Sequence, residues 1–245
     1  MLVSLLACAI FSILISDPAL SEVSGMAVLP SHPNIIHAIN DSGDGPYIHL
    51  IDEGGSTLPR IRFASVAPFD VEAIARDGDT LYIGDTGRNN GGDSVYSVYS
   101  WPSEPWITFR FPDDAVHDIE AMLVVNGVLM VIPKRTRAEL WIRGDDGIMQ
   151  SQGALTDPRG RPLRYVTDAT RDGSTVLIRS VYPRSRLHLF DWADGIQLRA
   201  KRELPVLNEP QGEAVALLGD TYWTMSEYER RGYSFLHRYA GCLGW

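Results

Sequence analysis

Short apolar runs separated by turn residues recur along the whole chain and predict β-strands. The clearest pair is Glu72-Ala73-Ile74-Ala75 and Leu81-Tyr82-Ile83, which are joined by Asp77-Gly78-Asp79. Runs of β-branched and aromatic residues of this length, bounded by Gly, Asn and Asp, are typical of hairpins. No segment of comparable length has the period of an amphipathic helix. The pattern therefore predicts an all-β fold.

The hairpin recurs in five units at nearly constant spacing. Third strands are expected at 47–51, 95–99, 140–142, 187–190 and 235–239, and fourth strands at 61–63, 107–111 and 196–198, with a weaker signal near Met149. Four strands per unit is the pattern of a β-propeller blade. We therefore expect five four-stranded blades around a central channel and consider a six-bladed ring less favoured. The first strands of the units begin at Ser24, Glu72, Glu120, Asp168 and Glu213, with offsets of 48, 48, 48 and 45 residues.

The N-terminal segment 1–16 is apolar and uncharged, and it has two interpretations. Its length and composition suit the hydrophobic region of a secretory signal, although no Lys or Arg precedes it and the best cleavage match, Ala7-Cys8-Ala9, falls early. Alternatively, residues 11–16 are the outer strand of the last unit, which otherwise has three strands. A trimmed signal followed by a strand allows both. We expect residues 17–245 to form one propeller domain, in a secreted, periplasmic or cell-envelope protein without a membrane span in its mature form.

Composition narrows the possible partners. The chain has 22 Lys and Arg against 31 Asp and Glu, a net charge of −9, and no basic stripe interleaved with aromatic residues. Nucleic acid is therefore not an expected partner, and a cation suits the chain better. Cys8 and Cys242 lie near opposite ends without a second Cys or His at metal-ligand spacing, so a cysteine zinc site is not expected. Whether they pair is left open.

The propeller topology predicts that equivalent positions of the repeat form one site. The first strand of a blade begins, and the second ends, on the same face of the ring, so these positions of all units should meet at one mouth of the channel. The opening residues are Glu72, Glu120, Asp168 and Glu213, with Glu22, Asp70 and Asp118 two residues earlier; the closing residues are Asn40, Asp41, Asp85, Lys134, Arg179 and Glu227.

Crowded carboxylates raise one another's pKa and need a balancing cation, proton or cationic ligand. An oxygen-only site without His or Cys selects Ca²⁺, Mg²⁺ or Mn²⁺, and the loop 84–93 adds further oxygens. We expect calcium. In the alternative interpretation, the opening carboxylates only accept backbone hydrogen bonds that fix the register between blades. The predicted metal ligands are Glu72, Asp85, Glu120, Asp168 and Glu213.

Seven motifs at the repeated positions also carry a resemblance, and they are Glu22-Val23-Ser24-Gly25-Met26-Ala27, Asn40-Asp41-Ser42-Gly43, Asp70-Val71-Glu72-Ala73-Ile74-Ala75, Gly84-Asp85-Thr86-Gly87, Asp118-Ile119-Glu120-Ala121, Thr167-Asp168-Ala169 and Gln211-Gly212-Glu213-Ala214. They are similar to the successive blade motifs of a family of exported bacterial β-propellers, mostly uncharacterised, of which some members are labelled phytase-like or esterase-like. The resemblance implies a propeller fold and export, and it implies no settled activity.

The functional hypothesis is a metal-dependent hydrolase of a small anionic ester, either a phosphate ester or a lactone. Lys134 and Arg179 would bind the negative charge of the substrate, and Glu227 would act as general base. Asn40 and Asp41 are further candidates for ligand binding. The competing hypothesis is a non-catalytic propeller that binds a ligand or a protein, and glycoside cleavage by a carboxylate pair is a third. The sequence does not indicate an oligomeric state.

Overall fold

A computed structural model of the chain describes residues 8–41, 43–88, 93–103, 106–192, 197–209, 211–227 and 233–244. Several predictions concern residues outside these ranges. They are the first part of the signal-like segment at 1–7, Ser42, the middle of the glycine-rich loop at 89–92, Ile196 and Trp245.

The strands form five antiparallel sheets of four strands each, which confirms the predicted five-bladed β-propeller. Each sheet is a blade, and in the first four blades the first strand in the chain is the inner one. A 3₁₀ turn at Pro18–Leu20 precedes the first blade. From inner to outer strand, the first blade consists of β2 (Val23–Val28), β3 (Ile35–Asn40), β4 (Tyr47–Asp52) and β5 (Thr57–Arg62), and the second of β6 (Val71–Asp77), β7 (Thr80–Asp85), β8 (Tyr96–Trp101) and β9 (Trp106–Phe109). The third blade consists of β10 (Ile119–Val125), β11 (Val128–Pro133), β12 (Glu139–Arg143) and β13 (Met149–Ala154), and the fourth of β14 (Val166–Asp172), β15 (Thr175–Ser180), β16 (Arg186–Trp192) and β17 (Leu198–Leu204). The fifth blade consists of β18 (Gly212–Leu218), β19 (Thr221–Ser226), β20 (Ser234–Ala240) and β1 (Ala9–Ile15). In this fifth blade the inner strand is β18, because β1 from the N-terminal segment supplies the outer strand.

The hydrophobic core lies between the blades. Five clusters of buried side chains each join residues of two neighbouring blades, and one of them joins the fifth blade to the first. Inner strands such as β10 are buried along their whole length because both faces pack against a neighbouring blade. This two-sided burial explains why the inner strands have continuous apolar runs in the sequence.

The outer strands differ most from the sequence prediction. The strand expected at 61–63 is found at Thr57–Arg62, and the one expected at 196–198 is found at Leu198–Leu204. Most side chains of both strands are exposed or half-buried, so their apolar pattern is weak. Pro59 lies in the first of them, where an edge strand can lack a backbone donor.

The N-terminal segment closes the ring. β1 pairs antiparallel with β20 and becomes the outer strand of the fifth blade, with Ala9 opposite Ala240 and Ile15 opposite Ser234. Cys8 and Cys242, which flank these two strands, form a disulfide. Among the described residues, no helix has the length and apolar character needed to cross a membrane.

Candidate functional site

Every inner strand begins with a β-bulge, which inserts one extra residue at the start of the strand. In the second blade the pairing passes from Val71 opposite Asp85 to Ala73 opposite Gly84, so Glu72 is the extra residue. Bulges re-aim side chains in this way. The extra residues of the five blades, in chain order, are Ser24, Glu72, Glu120, Thr167 and Glu213.

The same backbone hydrogen bond recurs in every blade and defines the equivalent positions at the ends of the second strands. In every blade an amide just beyond the second strand donates to the carbonyl two residues before the bulge. The N···O distances are 2.8 to 3.1 Å, as for Asp41 and Glu22 (2.8 Å). The residues whose amides donate are Asp41, Thr86, Lys134, Val181 and Glu227, and the carbonyls belong to Glu22, Asp70, Asp118, Tyr165 and Gln211.

Four bulge residues, three of the residues whose amides donate, and Gln211 line a cavity of about 200 Å³, which we call the acidic cavity. Five of its lining side chains are carboxylates and one is a lysine. Among the described residues, no His or Cys lines it. The lining residues are Ser24, Asp41, Glu72, Glu120, Lys134, Gln211, Glu213 and Glu227.

The carboxylates form two groups that share Glu72. One group is Asp41, Asp70 and Glu72, and the other is Glu72, Asp118 and Glu120. In each group, one oxygen per residue can be chosen so that all three lie within 4.8 Å of one another. Oxygens at this separation can bind a single cation.

Burial and mutual repulsion raise the pKa of these carboxyl groups. Burial, followed by the charges of Asp41 and Glu120, raises the pKa of Glu72 to about 11. Burial and then Glu213 raise the pKa of Glu120 to about 9, although Lys134 opposes them. Burial and the charge of Asp41 raise the pKa of Asp70 to about 6. The cavity therefore holds protons at neutral pH unless a cation replaces them.

Lys134 and Glu227 have defined partners in the cavity. Burial lowers the pKa of Lys134, but the carboxylates of Glu120 and Glu213 outweigh it, so the pKa lies above its ordinary value. Its Nζ forms an ion pair with Oε1 of Glu120. Gln211 Nε2 donates to Oε2 of Glu227 at 2.8 Å. Burial, followed by Glu213, raises the pKa of Glu227 to about 7, so this group can exchange a proton near neutrality.

Two buried oxygens in the acidic cavity lack partners in the described part of the chain. They are Oε2 of Glu120 and Oγ of Ser24. Glu120 and Ser24 are 5% and 4% exposed. A buried oxygen without a hydrogen bond is costly, and a bound cation would satisfy it. The donor set consists of carboxylate, hydroxyl and amide oxygens, which fits a hard divalent cation and not zinc or copper.

Two predicted ligands, Asp168 and Asp85, do not line the acidic cavity. Asp168 is fully buried, and its carboxylate accepts hydrogen bonds from the amides of Ala169 and Val215, both at 2.7 Å. Asp85 accepts from the amides of Phe69 and Asp70, at 3.0 and 2.9 Å. Both carboxylates therefore organise backbone, which agrees with the alternative interpretation for the opening residue Asp168 and was not expected for the closing residue Asp85.

Arg179 and Asn40 also lie away from the acidic cavity. Arg179 is fully buried and donates to the carbonyls of Ala214 and Met225, at 2.7 and 3.1 Å, besides its ion pair with Glu209. Nδ2 of Asn40 donates to the carbonyl of Ala19 at 2.6 Å. Of the predicted site residues, the structure brings together Asp41, Glu72, Glu120, Lys134, Glu213 and Glu227.

The set of predicted site residues lacked four contributors. Asp70 and Asp118 belong to the two carboxylate groups, and Ser24 and Gln211 line the acidic cavity. Asp70 and Asp118 carried a signal, since each lies two residues before an opening glutamate. Ser24 occupies the repeat position of Glu72 and Glu120, and Gln211 occupies that of Asp70 and Asp118. A comparison of the units by position, and not by charge, would have found both.

Comparison with known proteins agrees with the fold. No protein-family model and no curated protein matches the sequence. The crystal structure of Myxococcus xanthus glutaminyl cyclase is similar over 95% of this chain and 96% of its own, with a TM-score of 0.61 and 14% identity. A chain in the crystal structure of a nidogen/laminin complex is similar over 83% of this chain and 72% of its own, with a TM-score of 0.50 and 15% identity. The likeness is one of fold.

Proposed function

We propose that the acidic cavity is a divalent-cation site and that its ion is calcium. The observation that carries the proposal is the position of Glu72, whose carboxylate belongs to both groups of three. One ion beside Glu72 has the carboxylates of two neighbouring blades within reach. Calcium accepts six to eight oxygen ligands, whereas magnesium keeps several waters and takes only one or two carboxylates. So many carboxylates in one place therefore favour calcium.

The function that this site supports best is hydrolysis of a small anionic ester, either a phosphate ester or a lactone. A bound cation supplies electrostatic stabilisation of the reacting oxygen. Glu227, with its pKa near 7, accepts the proton of water as the water oxygen bonds to the ester carbon or phosphorus, and the leaving oxygen takes up a proton. Lys134 is the cation of the cavity lining that faces the substrate's negative charge. Because Arg179 is fully buried and does not line the acidic cavity, this role rests on Lys134.

The chain is further proposed to be exported, as the resemblance to exported bacterial propellers implies. The Cys8–Cys242 disulfide supports this proposal because such bonds persist in oxidising compartments. Cys8 and β1 belong to the last blade, so a signal peptide would have to be cleaved before Cys8 and not after residue 16. The propeller domain would then extend from Cys8 instead of residue 17. A lipid on the Cys8 thiol and the disulfide exclude each other, because both use the same sulfur.

The cation proposal is tested by metal analysis and thermal unfolding. The protein is stripped with a chelator, dialysed, and titrated with Ca²⁺, Mg²⁺ and Mn²⁺. We expect one Ca²⁺ per chain and a rise in melting temperature that Glu120→Gln abolishes. Glu53→Gln, at an exposed glutamate in a turn of the first blade, is the matched control and should behave as the wild type. If none of the three ions binds or raises the melting temperature, the proposal is wrong.

The hydrolase proposal needs a separate assay on the calcium-loaded protein. Aryl phosphates, lactones and aryl glycosides are compared with the wild type, Glu227→Gln and Glu53→Gln. We expect turnover of a phosphate ester or a lactone, with a loss of about a hundredfold or more in Glu227→Gln, as for removal of a general base. Calcium binding without turnover of any substrate would favour the non-catalytic binding function instead.

A second candidate is cyclisation of an N-terminal glutaminyl group, the activity that names the Myxococcus enzyme. The acidity of the cavity favours it, because five carboxylates suit a substrate amine that is cationic in solution. In such a reaction the amine nitrogen bonds to the side-chain amide carbon and ammonia leaves, so a carboxylate must move a proton between the two nitrogens. Release of ammonia from a glutaminyl peptide, lost in Glu227→Gln, would support this candidate.

A further inference from the structure

A second and larger cavity lies between the third and fourth blades, on the same face of the ring. Its volume is about 670 Å³, within the range of sites for organic ligands. Its walls come from the segment after β11, the segment before β14, and the turn between β15 and β16. We call it the arginine cavity, after Arg137, Arg161, Arg164 and Arg186 in its lining.

The arginine cavity is positively charged in an acidic protein. Arg161 forms an ion pair with Asp157, and Arg186 forms one with Glu203 at 2.6 Å. Within the described ranges, Arg137 and Arg164 have no carboxylate partner. Two guanidinium charges therefore remain unbalanced here, although the chain as a whole carries −9. A concentration of charge against the net charge of the molecule attracts an anion.

Two buried nitrogen atoms of the lining residues lack partners in the described part of the chain. His188 is 4% exposed, and its Nε2 lies 3.0 Å from Oγ of Ser180, but its Nδ1 has no partner. Nε of Arg186 is also buried without an acceptor. An arginine Nε can only donate. Each of these two atoms has almost no accessible surface, so neither contacts a ligand in the cavity, and the unbalanced charge of Arg137 and Arg164 is the indication of an anionic ligand.

The remaining wall is apolar and aromatic. Pro162, Leu163 and Pro183 line the arginine cavity together with Tyr182, which is 50% exposed. The guanidinium of Arg164 lies over the ring of Tyr182, with its carbon 5.2 Å from the ring centre. Nε of Arg164 donates to the carbonyl of Thr136 at 3.2 Å, and the two terminal NH₂ groups of the stacked guanidinium can donate to a carboxylate or phosphate in two parallel hydrogen bonds.

From these contacts we propose that the arginine cavity binds an organic anion, a carboxylate or phosphate attached to a flat apolar group. Arg137 and Arg164 hold the anionic group, and Tyr182 with Leu163 contacts the apolar group. The proposal does not rest on the cation in the acidic cavity. The two cavities are nevertheless close, since Lys134 lines one and Thr136 the other, and two residues span at most about 7 Å.

Calorimetric titration with phenyl phosphate and benzoate, and with phenol as the neutral control, tests the proposal. The protein is stripped of metal and freed of chelator by dialysis, since a chelator is itself a polyanion. We expect both anions, or one of them, to bind at micromolar to millimolar concentration and phenol not to bind. The anion that binds more tightly shows whether the site takes carboxylate or phosphate.

Variants locate the binding. Arg137→Gln and Arg164→Gln should each weaken binding about tenfold or more, the value of one charge-assisted hydrogen bond. Arg199→Gln, an exposed arginine on the outer strand of the fourth blade, removes the same charge and should not weaken binding. Glu120→Gln should bind the anion as the wild type does, which separates this result from any failure of the cation site. Equal binding by the wild type and both arginine variants, or binding of phenol as tight as that of phenyl phosphate, would overturn the proposal.

Discussion

Burial and the charges of neighbouring carboxylates both favour the protonated form of Glu72. They raise the pKa of the Glu72 carboxyl group in the folded protein to about 11, against an ordinary value of 4.5. Between these two values the folded state keeps a proton that the unfolded chain releases. The free energy of unfolding of the metal-free protein must therefore fall as the pH rises above 4.5, by up to about 1.4 kcal/mol per pH unit from this group.

This predicts the behaviour of Glu72→Gln, since glutamine is neutral at every pH. In the metal-free protein the variant should match the wild type near pH 4 and become progressively more stable than it towards pH 8. Urea unfolding at several pH values measures the difference. Glu53→Gln should show no such trend. With calcium present the order should reverse at pH 8, because glutamine is the poorer ligand, and a difference independent of pH would contradict the assignment.

Arg179 has a structural role, and its replacement should show this in stability. The guanidinium satisfies the buried carboxylate of Glu209 together with two backbone carbonyls. Arg179→Met removes the guanidinium from the buried Glu209, which keeps the hydroxyl of Thr224 and the imidazole of His237 as neighbours, and breaking a buried ion pair in this way costs about 3–5 kcal/mol. Urea unfolding should show this loss, and adding Glu209→Gln should restore part of it. If the variant lost binding of the anionic ester without losing stability, this would instead support the substrate-binding role that the sequence predicts for Arg179.

At the scale of the strand, one inserted residue separates the cavity carboxylates from the structural ones. Glu120 is the bulge residue of β10, whereas Asp168 is the residue after the bulge of β14 and connects its blade to the amide of Val215 in the next. Similar residues in similar sequence contexts thus face different surroundings.

Asp168 and Glu120 should therefore respond differently to replacement by the corresponding amide. Asp168→Asn places an NH₂ group beside backbone donors and should lower the free energy of unfolding by about 1–3 kcal/mol, with little change in calcium affinity per folded molecule. Glu120→Gln should weaken calcium binding strongly and leave the metal-free protein at least as stable as before. Calorimetric titration and urea unfolding of both variants measure the two effects, and equal losses of calcium affinity would show that the bulge does not sort these residues.

The sequence could predict the blades but not the bulges. The repeat and the apolar runs reflect burial between blades, which constrains every unit in the same way. Aligning the units by their acidic residues placed Asp168 under Glu120, whereas the residue equivalent to Glu120 is Thr167. At the ends of the second strands, choosing charged residues selected Asp85, one residue before the equivalent Thr86, and Arg179, two residues before the equivalent Val181. In the first four units the apolar residue before the bulge, such as Ile119 or Val166, was the better guide, because it is buried in the core.

At the scale of the whole molecule, the ring is closed twice, by strand pairing and by a covalent bond. The disulfide joins residues 234 positions apart, and in the chain-entropy model a loop of this size contributes about 5 kcal/mol. The double variant Cys8→Ser with Cys242→Ser should fold, since β1 still pairs with β20, but it should unfold at markedly lower urea concentration. Reduction of the wild type should give the same shift. An unchanged midpoint would show that the strand pairing alone closes the ring.

The disulfide also determines how the protein responds to mechanical force. Because Cys8 and Cys242 flank the first and last strands, tension applied to the two ends of the chain passes through the sulfur–sulfur bond and bypasses the five blades. A molecule tethered at one end and pulled at the other would keep its blades folded at loads that peel β1 from β20 in the serine variant. The acidic cavity and the arginine cavity would then retain their shape under strain.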